Sequence, residues 1–177
     1  MESVNYIREF AQVLLHVLMR NSIKTGLSFG LTSGVITTLG LLVGLAAGTD
    51  SRMVVLGAIF TIALADSLSD AMGIHISEES REHQTRTAIW EATIVTFVAK
   101  ALVSLSFIPA VLLLPLDQAI MVSILWGLLL VSVLSFWVAV LNHASPIRAI
   151  GEHVFITLTV VLATRQLGLW VGSHFGS

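Results

Sequence analysis

The chain has 177 residues, 55% of them hydrophobic and 11% charged, with a formal net charge of -2 and a mean hydropathy of +0.91. Soluble domains carry roughly 25% charged residues, so this composition predicts an integral membrane protein, and nothing in it is basic enough to suggest nucleic acid as a partner. Cysteine is absent, which excludes disulfides, thiolate metal sites and cysteine nucleophiles; any metal must use oxygen, imidazole or thioether.

Residues 1–22 predict an amphipathic helix lying at the membrane interface. Phe10, Val13, Leu14, Val17 and Leu18 recur at helical spacing, with Arg8, Glu9, Gln12 and Arg20 largely on other faces. Glu2 and Glu9 interrupt any signal-peptide pattern. Residues 23–177 then form one membrane domain. It contains five apolar stretches, each of about 20 residues or more, at roughly 25–48, 53–76, 89–114, 118–141 and 150–172. The breaks are the turn from Gly48 to Arg52, the polar stretch 77–88, Pro115 with Asp117, and Asn142 to Arg148 with Pro146. The expected fold class is therefore an all-α membrane protein of five transmembrane helices plus the interfacial N-terminal helix.

An odd number of spans puts the termini on opposite sides of the membrane. Arg8, Arg20, Lys24, Arg81, Arg86 and Arg148 fall on the side of the N-terminus, against Arg52 alone on the other. The positive-inside bias then predicts a cytoplasmic N-terminus and an outer C-terminus.

In span one, Gly26, Gly30 and Gly34 are spaced by four, as are Gly40, Gly44 and Gly48. At 3.6 residues per turn all six fall in an arc of about 120°, a small-residue stripe that admits another helix backbone closely. Packing within the chain and a homodimer seam are equally compatible with this stripe. Ser33 and Thr37 lie on the same arc and offer hydroxyls to a polar path.

Span two carries the most informative charges, Asp66 and Asp70. Carboxylates in hydrocarbon cost at least about 2.5 to 3.5 kcal/mol each and are retained for a proton, an ion or a partner charge. Four residues apart, they share a helical face with Ser69, Gly73 and Ser77. Protons and a divalent cation would compete for such a face, which gives a physical basis for exchange. The competing reading is an ion pair with Lys100 of span three, whose face also carries Thr93, Thr96 and Ser104. Lys100 also suits a mixed role, compensating the site when it is empty. Further along, His75, Glu79, Glu82 and Arg86 recur at helical spacing with Glu78 and His83 beside them. Carboxylate and imidazole one turn apart can load a metal, although a charged helix end in water gives the same pattern.

The remaining polar residues have plainer readings. Glu91 and Glu152 suit helix N-termini, Arg165 suits snorkelling or a carboxylate partner, Met53 and Met72 suit packing, and Trp170 suits an interfacial belt. No enzyme and no cofactor are expected. Two aspartates one turn apart on one helix are poorly placed to flank a substrate bond, and the glycines have packing rather than phosphate-binding spacing.

The stretches GLTSGVITTLGLLVGLAAG from Gly30 and ALADSLSDAMGIHISEESRE of span two resemble the first and second helices of the vacuolar iron transporter family, relatives of the yeast calcium-sensitive-cross-complementer iron importer and of plant nodulin-21-like proteins. Ile108-Pro109 with Pro115, and Arg148 leading into span five, fit the same pattern. The resemblance implies a five-helix homodimer with an ion path at the subunit interface, moving ferrous iron or another divalent metal out of the cytosol, commonly against protons. The chain departs from the pattern at four places. The family's span-one aspartate falls at Ser33, its span-two methionine at Asp70, its following glutamate at Ile74, and its cytoplasmic insertion shrinks to about Ser77 to Thr87.

The expected function is therefore export of Fe(II) or Mn(II), as transported substrate, by proton antiport. Asp66 and Asp70 are the expected metal or proton sites, Ser33 and Thr37 the lining, and His75, Glu79 and Glu82 the capture site. The alternative is a non-transporting membrane scaffold or partner subunit of the same fold, held by a structural Asp–Lys pair.

Overall fold

The computed structural model describes residues 20–176, so residues 1–19 of the interfacial helix expected at 1–22 lie outside the described residues, while Asn21 and Ser22 begin the first long helix. Five helices are long and apolar enough to span a membrane: α1 (Asn21–Thr49), α2 (Arg52–Glu79), α3 (Arg86–Leu113), α4 (Leu116–Leu141) and α5 (Pro146–Phe175). They coincide with the five predicted stretches and extend most of them by a turn. Such a bundle is compatible with a multi-pass membrane protein.

The helix ends have local causes. Asp50 closes α1 in the left-handed region at φ 48°, a conformation that a short polar side chain tolerates. Ser51 and Thr85 cap α2 and α3 by accepting hydrogen bonds from the amides of Val54 and Ala88. Pro146 opens α5, where its missing N–H has no intrahelical role. Two of the helices are irregular. α2 contains a π turn at Ile62–Asp66, and α3 breaks at Ser106 and Phe107 before its last segment, Ile108–Leu113, which has Pro109 in its first turn.

α1 is the centre of the bundle and packs against each of the other four helices. Its Val35, Leu39, Leu42 and Val43 are buried with Val55 and Ile59 of α2, Val103 and Phe107 of α3, and Val131 of α4. The six glycines of α1 are divided between two neighbours. A Cβ at Gly26, Gly30 or Gly34 would meet α3, at 2.7 Å from the Thr96 carbonyl oxygen in the case of Gly30. A Cβ at Gly40, Gly44 or Gly48 would meet α5 instead, at Val160, Thr164 and Gly168. Gly168 and Gly172 of α5 return the contact on the carbonyls of Gly44 and Gly48. The stripe is thus used within the chain, with two successive partners.

The outer surface is apolar, with Met53, Leu113 and Ile147 all more than four-fifths exposed. Met53 and Met72 lie on this outer face, because the packed side of α2 is the one carrying Val55, Ile59 and Ala71.

Glycine substitutions separate packed from open positions. Replacing Gly30 by leucine should destabilise the bundle by about 1–3 kcal/mol or more, since backbone rather than a movable side chain blocks the space. Gly73→Ala, where a Cβ meets nothing within 4 Å, should be neutral or stabilising by up to about 1 kcal/mol through helix propensity. Thermal unfolding in detergent reads both, and equal losses at the two positions would contradict the packing described.

Candidate functional site

Lys100 lies in the middle of α3 and is 1% exposed. It shares a buried face with Thr93, Thr96 and Ser104, the face that meets α1 and α2. Thr93 and Thr96 return their hydroxyls to the carbonyls of Ile89 and Ala92 one turn back. Ser104 instead accepts a hydrogen bond from Thr38 of α1 at 3.0 Å. The ammonium is left to find its partners on other helices.

Those partners are both aspartates of α2. The Lys100 Nζ stands 2.5 Å from Asp66 Oδ2 and 2.5 Å from Asp70 Oδ2, and it donates to Ser33 Oγ of α1 at 3.1 Å. Ser33 in turn donates to Asp70 Oδ2 at 2.6 Å. Asp70 is therefore hydrogen-bonded twice, whereas the buried Asp66 Oδ2 has the ammonium as an ionic neighbour without hydrogen-bond geometry. The lysine end of the cluster is sealed, while the Asp66 and Asp70 side chains are 37% and 22% exposed. Beyond them Ser69, Gly73 and Ser77 continue outward along the exposed face of α2.

The π turn sits immediately before this cluster. The amide and the hydroxyl of Ser67 both bond the Ile62 carbonyl, inserting the extra residue typical of π turns at functional sites. Asp66 is the last residue of that turn. Uninterrupted α-helical spacing does not reveal the insertion, although the one-turn relation of Asp66 to Asp70 survives because it lies beyond it.

Electrostatically the cluster is unbalanced. An ammonium taken out of water needs close opposite charge, and one carboxylate would neutralise it. With all three groups ionised, two carboxylates leave one negative charge in excess, the condition under which a proton or a cation is bound from low dielectric.

The other predicted residues are arranged differently. Thr37 does not join the cluster and lines a groove between α1, α4 and α5. His75 Nδ1 is 2.9 Å from Thr93 Oγ1, and its ring packs edge-on against Trp90 at 4.8 Å. Glu79 and Glu82 are exposed. His75 and Glu79 border a small cleft that also contains Arg86, a fixed positive charge that opposes a metal there. Among the described residues, no three of His, Asp and Glu converge as a metal-holding group. The expected capture site at His75, Glu79 and Glu82 is therefore not assembled in this arrangement. Its buried acid is Glu78, paired with Arg81 at 3.1 Å.

Glu91 does not cap its helix but joins α3 to the start of α1, through Arg20 at 2.8 Å and Ser22 at 2.9 Å. Glu152 pairs with Arg148 one turn earlier. Arg165 is exposed, with no ion pair among the described residues. Residues that sequence reasoning passed over are Thr38, adjacent to the chosen Thr37, and the Gly168–Gly172 pair, whose spacing by four matches that of Gly44 and Gly48.

The coupling within the cluster is testable. Lys100→Met alone leaves two acids without their counter-charge and should cost about 3–5 kcal/mol. Adding Asp66→Asn and Asp70→Asn should recover more than half of that loss. Unfolding measured in detergent decides, and a triple variant whose cost equals the sum of the single costs would show that the three groups are independent.

No protein-family model, no curated protein and no solved structure matches this chain.

Proposed function

We propose that the protein is a multi-pass membrane transporter of a divalent cation, in which Lys100 is the resident counter-ion of a site formed by Asp66 and Asp70. The observation that carries this reading is that one buried ammonium holds two carboxylates at 2.5 Å each. A lysine kept only for structure needs one. The second acid gives the cluster its excess negative charge and makes the ammonium exchangeable for a cation or for protons.

The substrate class follows from ligand chemistry together with the resemblance to the vacuolar iron transporters. Carboxylate and hydroxyl oxygens suit Fe(II) and Mn(II) and disfavour Cu(I). Asp66 and Asp70 would supply the charged ligands, and Ser33 a neutral one. Binding would displace bound protons and free the ammonium, which couples metal movement to protons moving the other way. The same resemblance implies that metal leaves the cytosol. The exposed stripe of Asp66, Ser69, Gly73 and Ser77 favours a homodimer, because polar side chains facing hydrocarbon need a protein cover.

A second reading has its own observation. Lys100 is almost completely buried and Asp70 is doubly hydrogen-bonded, as in a membrane scaffold or partner subunit held by a structural ion pair. The two readings differ in flux. In proteoliposomes loaded with a metal-sensitive dye, the protein should carry Fe(II) or Mn(II), and the Asp66→Asn, Asp70→Asn double variant should lose at least about 90% of that rate, the loss of more than 1.4 kcal/mol in transition-state stabilisation. Undiminished flux in a folded double variant would sink the transporter assignment to these residues. Absence of flux in the unaltered protein would favour the scaffold.

A further inference from the structure

α5 lies tightly on α1 only along the half that carries Gly40, Gly44 and Gly48. On the other half the helices part, and α4 does not close the gap. The opening is a groove of about 630 Å³ with apolar walls that include Phe29, Ile36, Leu134 and Val138, set with the hydroxyls of Ser28, Thr32, Ser33 and Thr37 of α1 on one side and Ser135 of α4 and His153 of α5 on the other. Its position matters because Ser33 belongs to two environments at once. It lines the groove, and it is hydrogen-bonded to both Lys100 and Asp70.

The hydroxyls on the α1 side of this groove are not satisfied within their own helix. Many Ser and Thr of the bundle turn back on the carbonyl one turn earlier, as Thr93, Ser132, Ser135, Thr157 and Thr164 do, which satisfies the hydroxyl without help from outside. Among the described residues, Ser28, Thr32 and Thr37 make no such bond, so their donors and acceptors are left to whatever fills the groove. An acyl chain would leave them unsatisfied, at a cost of roughly 1–3 kcal/mol for each hydroxyl. Water satisfies them, and a groove of this size, with His153 and Ser135 hydrogen-bonded to each other at 2.7 Å across the far wall, has the polar partners that ordered water requires. The second groove along α1 makes the contrast. It is bordered by Gly40, Leu41, Gly44 and Leu45 with Leu167 and Val171 of α5, and offers water almost nothing.

We propose that the groove between α1, α4 and α5 is a water-filled inlet, and that it delivers water and dissolved small cations as far as Ser33, the hydroxyl that joins the groove to the cluster. The inlet does not depend on the transport reading, since a structural ion pair at its end would be hydrated in the same way.

The absence of cysteine makes the test direct, because each substitution introduces one thiol into the full chain. Thr32→Cys, Thr37→Cys, Ser28→Cys and Ser33→Cys, reconstituted in liposomes, are reacted with a permanently charged methanethiosulfonate, with Leu41→Cys of the apolar groove as reference. Thiolate is the reacting species and forms only where water solvates it, so the groove positions should react at least about tenfold faster than Leu41→Cys. Rates equal to the reference, or reaction only with an uncharged apolar maleimide, would overturn the inlet. Reaction at positions 28, 32 and 37 without reaction at 33 would overturn delivery as far as Ser33. The four substitutions are small and independent, so loss of folding in one leaves the others to decide, and proteoliposomes inactive for metal would leave these outcomes unchanged.

Discussion

A lysine ammonium enclosed in an apolar bundle has to be neutralised, and much of this structure follows from where that neutralisation occurs. Lys100 cannot reach water from the middle of α3, so α2 must present acid at its level and α1 must approach closely enough to share the ammonium's remaining hydrogen. The Gly26–Gly34 stretch of α1 provides that approach by bringing backbone against backbone at Thr96 and Lys100. The π turn of α2 ends at Asp66, beside the same point. Close packing and charge pairing are therefore one arrangement: without small residues on α1, Ser33 would stand too far off to bond both Lys100 and Asp70.

The same economy of contact explains the open side of the molecule. α1 is a single helix whose glycine arc faces α3 at one end and α5 at the other. Two helices cannot both follow one face along its whole length, so α5 diverges where α3 takes over. The space left there is bordered by the hydroxyl-bearing part of α1 rather than its leucine-rich part. Thr38, one residue from Thr37, turns inward to Ser104 instead. Adjacent threonines on one helix thus serve opposite ends, one a closed interhelical bond and the other an open polar wall.

The spans were legible in the sequence because runs of apolar residues about as long as a bilayer is thick are bounded by Pro, Gly and charge. The anomalous carboxylates were equally legible, since an intramembrane charge is rare enough to single out. The identity of the partners required three dimensions. Glycine spacing predicts a close contact but carries no information about which helix fills it, and the division between α3 and α5 depends on the crossing of helices far apart in sequence. The π turn left no periodic trace either, because one inserted residue at Ile62–Asp66 lies among apolar residues that suit any face. The charged cluster at His75, Glu79 and Glu82 illustrates the converse. Helical spacing put these groups near one another, but Thr93 and Trp90 engage His75, and Arg86 supplies a competing positive charge.

The contact between Ser33 and Asp70 bears most directly on function. The resemblance to the vacuolar iron transporters assigns an aspartate to the position of Ser33 and a methionine to that of Asp70. In this chain the two positions touch, at 2.6 Å within one protomer. Asp70 therefore holds its carboxylate against the part of α1 that carries Ser33. Beside Asp66 it completes a pair of hard oxygen groups, a chemistry that suits oxygen-seeking rather than soft cations. Two acids so close also repel each other, and Lys100 relieves that repulsion only in part. Ser33, Asp66, Asp70 and the buried lysine therefore form a single arrangement of charge, in which no member can be exchanged without changing the surroundings of the others.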